Sequence, residues 1–180
     1  RADNRLMVLL VDFVEDDDPQ TTGNGKFQFS DPEYPIDLGK PPHDQEYFWW
    51  VMESVRYYYR AASLGAFNLQ FDVFPQAEYA QDDTVIVAYT LPNEMSYYNP
   101  PGAGTDLMIS RFEEYFYDVF TTVDQDDAVD FSRYDHYMII HAGSDSQHDI
   151  SGDTPADIPS FFINVGDGKE VIVDDGIVID

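Results

Sequence analysis

Cysteine is absent from the 180 residues, which excludes disulfides, thiolate zinc sites and a cysteine nucleophile. Basic residues are scarce: nine Lys and Arg stand against 35 Asp and Glu, for a net charge of −26. That charge repels phosphate backbones and anionic lipid over about 8–10 Å, so nucleic acid and anionic membranes make poor partners. Long apolar runs are missing too. The longest, LMVLLV at 6–11, is far shorter than the ~20 residues a membrane span needs, and no secretory-signal pattern opens the sequence. The chain begins at Arg1 rather than Met, as a processed or excised product would. No G-x-x-x-x-G-K-[ST] or G-x-G-x-x-G follows the first strand, and no G-x-S-x-G elbow is present.

What remains is a core-forming chain. Apolar residues make up 43%, with 13 Phe, 13 Tyr and 2 Trp, enough for one domain of ordinary size over residues 1–180. Residues 6–13 are continuously apolar apart from Asp12 rather than alternating, the pattern of a central strand covered on both faces. Residues 15–42 hold five prolines and three glycines and read as a long surface excursion. Asp44 is then placed to cap a helix in which Phe48, Val51, Met52, Val55, Tyr59 and Ala62 recur at helical spacing, with Gly65 as the residue just past its end. Core packing is the expected use of that aromatic stripe. Residues 67–73 and 85–91 read as strands, joined by a connection at 75–83. A second helix over 106–123, with Thr105 as its cap, aligns Phe112, Tyr115, Phe116, Val119, Phe120 and Val123. An acidic connector, 124–135, leads to a strand at 137–140. Strands at 158–165 and 170–173, a turn at 166–168 and an apolar end at 177–179 complete the pattern. The fold class expected is α/β: a mixed, partly parallel sheet packed by two aromatic-rich helices, with long acidic loops.

The chemistry-bearing residues gather after the strand at 137–140. Asp145, Asp149, Asp153 and Asp157 lie four apart beside Gly143 and Gly152, and a folded loop can aim several carboxylates at one centre, where calcium is the favoured ion. The spacing is not that of an EF-hand. His141 and His148 with Asp149 offer zinc-type ligands, although a hydrogen-bonded scaffold histidine at a strand end is the commoner outcome. Asp124, Asp126, Asp127 and Asp130 open like a calcium loop but lack its glycine and closing glutamate, so a solvated turn is expected there.

Several unconnected segments resemble, in order, the immune inhibitor A-like metallopeptidase family. They are LMVLLVDF, the helix ending in Y-Y-R-x-x-S-x-G, M-S-Y-Y at 95–98, D-F-S-x-Y-D at 130–135, H-A-G-S-D at 141–145 and the loop DTPADIPSFFI. The likeness spans residues 6–180. Members are zinc peptidases, usually secreted by bacteria or archaea, whose metal is held by a helical H-E-x-x-H and a further ligand downstream. None of His43, His136, His141 or His148 is followed by Glu, and the family's catalytic helix comes after a segment like VDDGIVID, at 173–180. The resemblance therefore implies an N-terminal, non-catalytic part of an extracellular metallopeptidase-like domain, with zinc only if a downstream catalytic segment exists, and with no catalytic role for any residue present. The partner implied is the remaining C-terminal part of that domain. The alternative is an assembly module of an extracellular filament or surface layer, whose partners are identical subunits.

Overall fold

The unbroken apolar run at 6–11 forms the strand it requires. In the computed structural model, which describes residues 4–30, 39–76, 88–163, 169–174 and 176–179, β1 covers Asn4–Asp12 and its residues 6–11 are all buried. Each large apolar side chain so buried stabilises the fold by about 1.5–3 kcal/mol. The further elements are α1 (Gln45–Ala62), β2 (Leu69–Phe74), β3 (Tyr89–Thr90), α2 (Met95–Tyr98), α3 (Thr105–Val123), β4 (His136–His141), β5 (Val171–Val173) and β6 (Ile177–Ile179). The sheet order is β2-β1-β3, with β4 also pairing β1, while β5 and β6 form a separate antiparallel pair. Both β2 and β3 run parallel to β1. The fold is thus mixed α/β with a partly parallel sheet, and among the described residues no helix is long and apolar enough to cross a membrane.

Contacts group the residues into two compact units. The first comprises Arg1–Leu10, Phe27–Ala88 and Arg133–Ile140. In it β1 and β2 pair in register from Asn4↔Leu69 to Leu9↔Phe74, with α1 as the crossover that parallel strands need. Arg5 bonds Asp72 at 3.4 Å and lies over the Tyr134 ring, whose hydroxyl donates to Asp72 at 2.8 Å. Helix α1 starts as expected, with the Asp44 carboxylate accepting from Tyr47 N at 2.9 Å. Its end differs from expectation by one residue. Leu64 is the residue directly after the Ser63 cap, left-handed at φ 54°, and Gly65 follows it, also with positive φ at 78°. Leu64 N donates to Ala61 O and Gly65 N to Arg60 O, the two bonds of a Schellman end.

The expected core stripe of α1 forms only in part. Met52 is buried, and so is Glu53, but Phe48 and Val55 are half-buried, while Val51, Tyr59 and Ala62 are exposed. The helix packs one narrow side on β2, and its aromatic residues outnumber the places available there.

The second unit comprises Val11–Lys26, Tyr89–Ser132 and His141–Asp180. Here α3 follows its expected stripe: Tyr115, Phe116, Val119, Phe120 and Val123 are buried, and Phe112, half-buried, stacks on Phe161 at 4.9 Å. Its cap position is Gly104 rather than Thr105. The acidic connector, expected as a solvated turn, makes a local bond from Ser132 N to Asp130 but also long-range ones, with Asp126 accepting from the Tyr89 hydroxyl at 2.7 Å and Asp124 from Asp174 N at 2.8 Å. No strand forms at 158–163; Pro159 lacks an N–H for a ladder, and Ser160 N is taken by the Gln147 side chain. Residues 77–83, 85–87 and 164–168, on which other expected strands, a connection and a turn fall, lie outside the described residues.

Candidate functional site

Parallel strands deliver their following loops to their carboxyl ends, where α/β folds place binding sites. In the second unit three such loops meet: residues 13–26 after β1, 91–104 after β3 and 142–163 after β4. Hydrogen bonds join them pairwise. Val14 N donates to Asn93 O at 3.2 Å, and Ala156 N to Gln20 O at 2.9 Å. The Asn99 side chain donates to Asp157 O at 2.8 Å.

Asp157 is the central clamp. It is wholly buried at 0% exposure, and its two carboxylate oxygens accept from Thr22 N and Thr22 Oγ1, each at 2.7 Å. A buried carboxylate is tolerated only with such charge-assisted bonds. Gly143 is the second fixed point. It has φ +90°, and a Cβ there would stand 2.5 Å from Met95 Cε and 3.0 Å from Thr22 O, so only glycine lets the three loops close.

The ring of His141 packs edge-on against Phe13 at 6.0 Å, with Nδ1 at 2.8 Å from Ala142 O. Burial holds its pKa below the ordinary 6.5, against the smaller opposing pull of the Ala142 carbonyl and the charges of Asp157 and Asp145. The ring is a neutral scaffold group, oriented by that carbonyl. Tyr98 completes the core of the site, packing on Phe13 and Tyr115 and donating to Asp118 at 2.7 Å. Burial raises the Asp118 carboxyl, more than the hydrogen bond from Tyr98 lowers it.

The four loop aspartates take separate partners. Asp145 accepts from Gln147 N and His148 N and lies 2.8 Å from the His148 ring; burial pushes its carboxyl up, but the His148 contacts and the two amides outweigh it and leave it low. Asp149 accepts from the amides of Gly152, Asp153 and Thr154. Asp153 is exposed on the surface, and Asp157 holds Thr22. Among the described residues no group of three or more His, Cys, Asp or Glu is gathered for a metal ion. His148 pairs with Asp145 rather than with His141.

Sequence reasoning missed Thr22, Asn99, Tyr98 and Asp118. Thr22 and Asn99 sit in loops without periodicity, and their partners are 135 and 58 residues away. Only the M-S-Y-Y segment marked Tyr98. The arrangement is one of rigid positioning: buried, mutually bonded loop bases beneath an acidic rim. Comparison with family models, curated proteins and solved structures finds no match to this chain.

Proposed function

We propose that the chain is the N-terminal, non-catalytic part of a secreted metallopeptidase-like domain, a scaffold that positions loops rather than performing chemistry. What carries this reading is the convergence of segments far apart in sequence. M-S-Y-Y, H-A-G-S-D and the DTPAD loop, which bear the resemblance to the immune inhibitor A-like family, pack on one another through Met95 and Gly143 and through Asn99 and Asp157. Zinc chemistry would come only from a downstream H-E-x-x-H, in which a glutamate activates a metal-bound water. Calcium enters as a stabilising ligand of the loop of Asp145, Asp149, Asp153 and Asp157. Drawing in all four would displace the Thr22 bonds of Asp157, so a calcium-induced rise in melting temperature would report a rearranged loop. The deciding experiment is to read the coding sequence past Asp180 and assay both products. An H-E-x-x-H shortly downstream, with zinc-dependent peptidase activity in the longer chain and none in these 180 residues, is the expected result. A stop codon directly after Asp180 would sink the proposal.

A second reading, an extracellular assembly module made of identical subunits, is favoured by the outward aromatic face of α1. Apolar surface of that kind on a secreted chain is a common mark of a protein interface.

A further inference from the structure

In the loop after β1 an exposed asparagine, Asn24, is followed by glycine, and packing fixes that pairing. Gly25 has φ +81°, and a Cβ there would stand 2.8 Å from the Val14 carbonyl oxygen. That clash is with backbone, which no rotamer relieves, so the position admits glycine alone. Gly25 O accepts from Phe13 N at 2.9 Å, whereas the Gly25 N–H donates to no acceptor among the described residues. A backbone nitrogen with neither a side chain to shield it nor an acceptor to hold its proton is open to reaction with a neighbouring carbonyl group.

The groups around this peptide favour such a reaction. Asn24 Oδ1 accepts from Lys26 N at 3.3 Å, a bond to the residue two ahead that folds the carboxamide over the intervening Gly25 peptide. The same N–H can hold the negative charge that gathers on Oδ1 when Cγ is attacked. Asn24 Nδ2 donates to Glu15 Oε1 at 2.8 Å. Asp16 N donates to the Asn24 carbonyl at 3.2 Å, drawing electron density out of the Asn24–Gly25 peptide and making its N–H a better acid. The Asp16 side chain supplies a base. Its Oδ1 accepts from Asp18 N at 2.8 Å, but Oδ2 is shut off from solvent with no hydrogen-bond partner, and a Cβ on Gly25 would lie 3.6 Å from it. A buried carboxylate oxygen without a donor is costly, and this one stands where the Gly25 proton can reach it directly or through one water.

We propose that Asn24–Gly25 is a self-modification site, at which Asp16 takes the Gly25 amide proton and the nitrogen closes on the Asn24 carboxamide. The bond from Gly25 N to Asn24 Cγ forms, the Cγ–Nδ2 bond breaks, and ammonia leaves with the transferred proton. The cyclic imide so formed takes up one water from solvent, opening at one carbonyl to leave aspartate or at the other to leave isoaspartate, with the chain rerouted through Cγ. No electrons are exchanged, and solvent water is the one co-reactant. The aspartate product sets a carboxylate where Nδ2 faced Glu15, turning an attraction into a repulsion in a chain of net charge −26. The isoaspartate product lengthens the main chain between the carbonyls that accept from Asp16 N and Phe13 N. Thr22 lies in the same loop and holds Asp157, so conversion loosens the clamp of the site as the protein ages.

Peptide mapping by mass spectrometry, after prolonged incubation of the native chain in water enriched in heavy oxygen, tests the proposal, since the imide route puts solvent oxygen into the modified residue. Labelled aspartate and isoaspartate are expected at position 24, with a lowered melting temperature in the converted fraction. Asp16→Asn still accepts from Asp18 N but cannot take a proton. It should slow the conversion about tenfold or more while keeping the parent's melting temperature. If Asn24 stays intact in the native chain over a time in which the urea-unfolded chain converts, the fold protects the pair and the proposal fails. If Asp16→Asn converts as fast as the parent, Asp16 is not the base and the step as written is overturned.

Discussion

Asp157 concentrates more of the site's stability than any other carboxylate of its loop, because burial removes water as an alternative partner. Its two charge-assisted bonds to Thr22 leave an orphaned amide and hydroxyl if the carboxylate is removed. Asp157→Ala is therefore expected to cost about 2–4 kcal/mol of folding stability, measured by urea denaturation. Asp157→Asn should cost less, since an amide can still accept from Thr22 N. A loss equal to that of a surface aspartate such as Asp153 would show the clamp to be immaterial. His141 acts through its protonation state. Its pKa is lowered in the fold, so the unfolded chain binds the proton more readily. Its contribution to stability is present above its unfolded pKa of about 6.5 and is lost as pH falls below that value, with a slope of at most about 1.4 kcal/mol per pH unit. Urea midpoints measured on either side of that pH should reveal the slope in the parent and a flatter profile in His141→Gln, where the side chain can still donate to Ala142 O.

At the scale of elements, the end of α1 exposes a local compromise. A leucine in the left-handed position, nearly fully exposed, gains little from packing and bears the steric cost that glycine avoids. Leu64→Gly is expected to stabilise the chain by about 0.5–1 kcal/mol, a rise visible as an increased melting temperature; a decrease would mean that Leu64 makes a contact outweighing its strain. Helices were the most legible elements in the sequence. The stripe of α3 is nearly continuous and its buried residues are those the periodicity marks. The stripe of α1 misled, since Trp and Tyr follow it on several sides at once and period alone cannot say which side meets β2. The absence of a strand at 158–163 has a similar origin: Ile158, Phe161, Phe162 and Ile163 look strand-like, yet Pro159 and the Gln147 side chain occupy the backbone positions a ladder would use.

For the whole molecule, charge outweighs every other compositional feature. With 35 acids against nine bases, like charges repel throughout the folded state, and five Lys- or Arg-based ion pairs among the described residues offset only part of that. Added neutral salt screens repulsion between exposed charges more than it weakens buried contacts. The melting temperature is expected to rise with sodium chloride, and a fall would mean that the ion pairs contribute more than the repulsion removes. The sequence by itself determined the charge, the absence of thiol chemistry, the central apolar strand, both long helices and the lack of an H-E-x-x-H, because each is written in composition or in short-range periodicity. Only the tertiary structure decided which aspartate is a buried clamp and which a surface group, which side of α1 is open, and that Thr22, Asn99 and Gly143 lock the loops together. Those properties depend on partners tens of residues away, whose meeting is fixed by strand order and burial and leaves no local pattern in the chain.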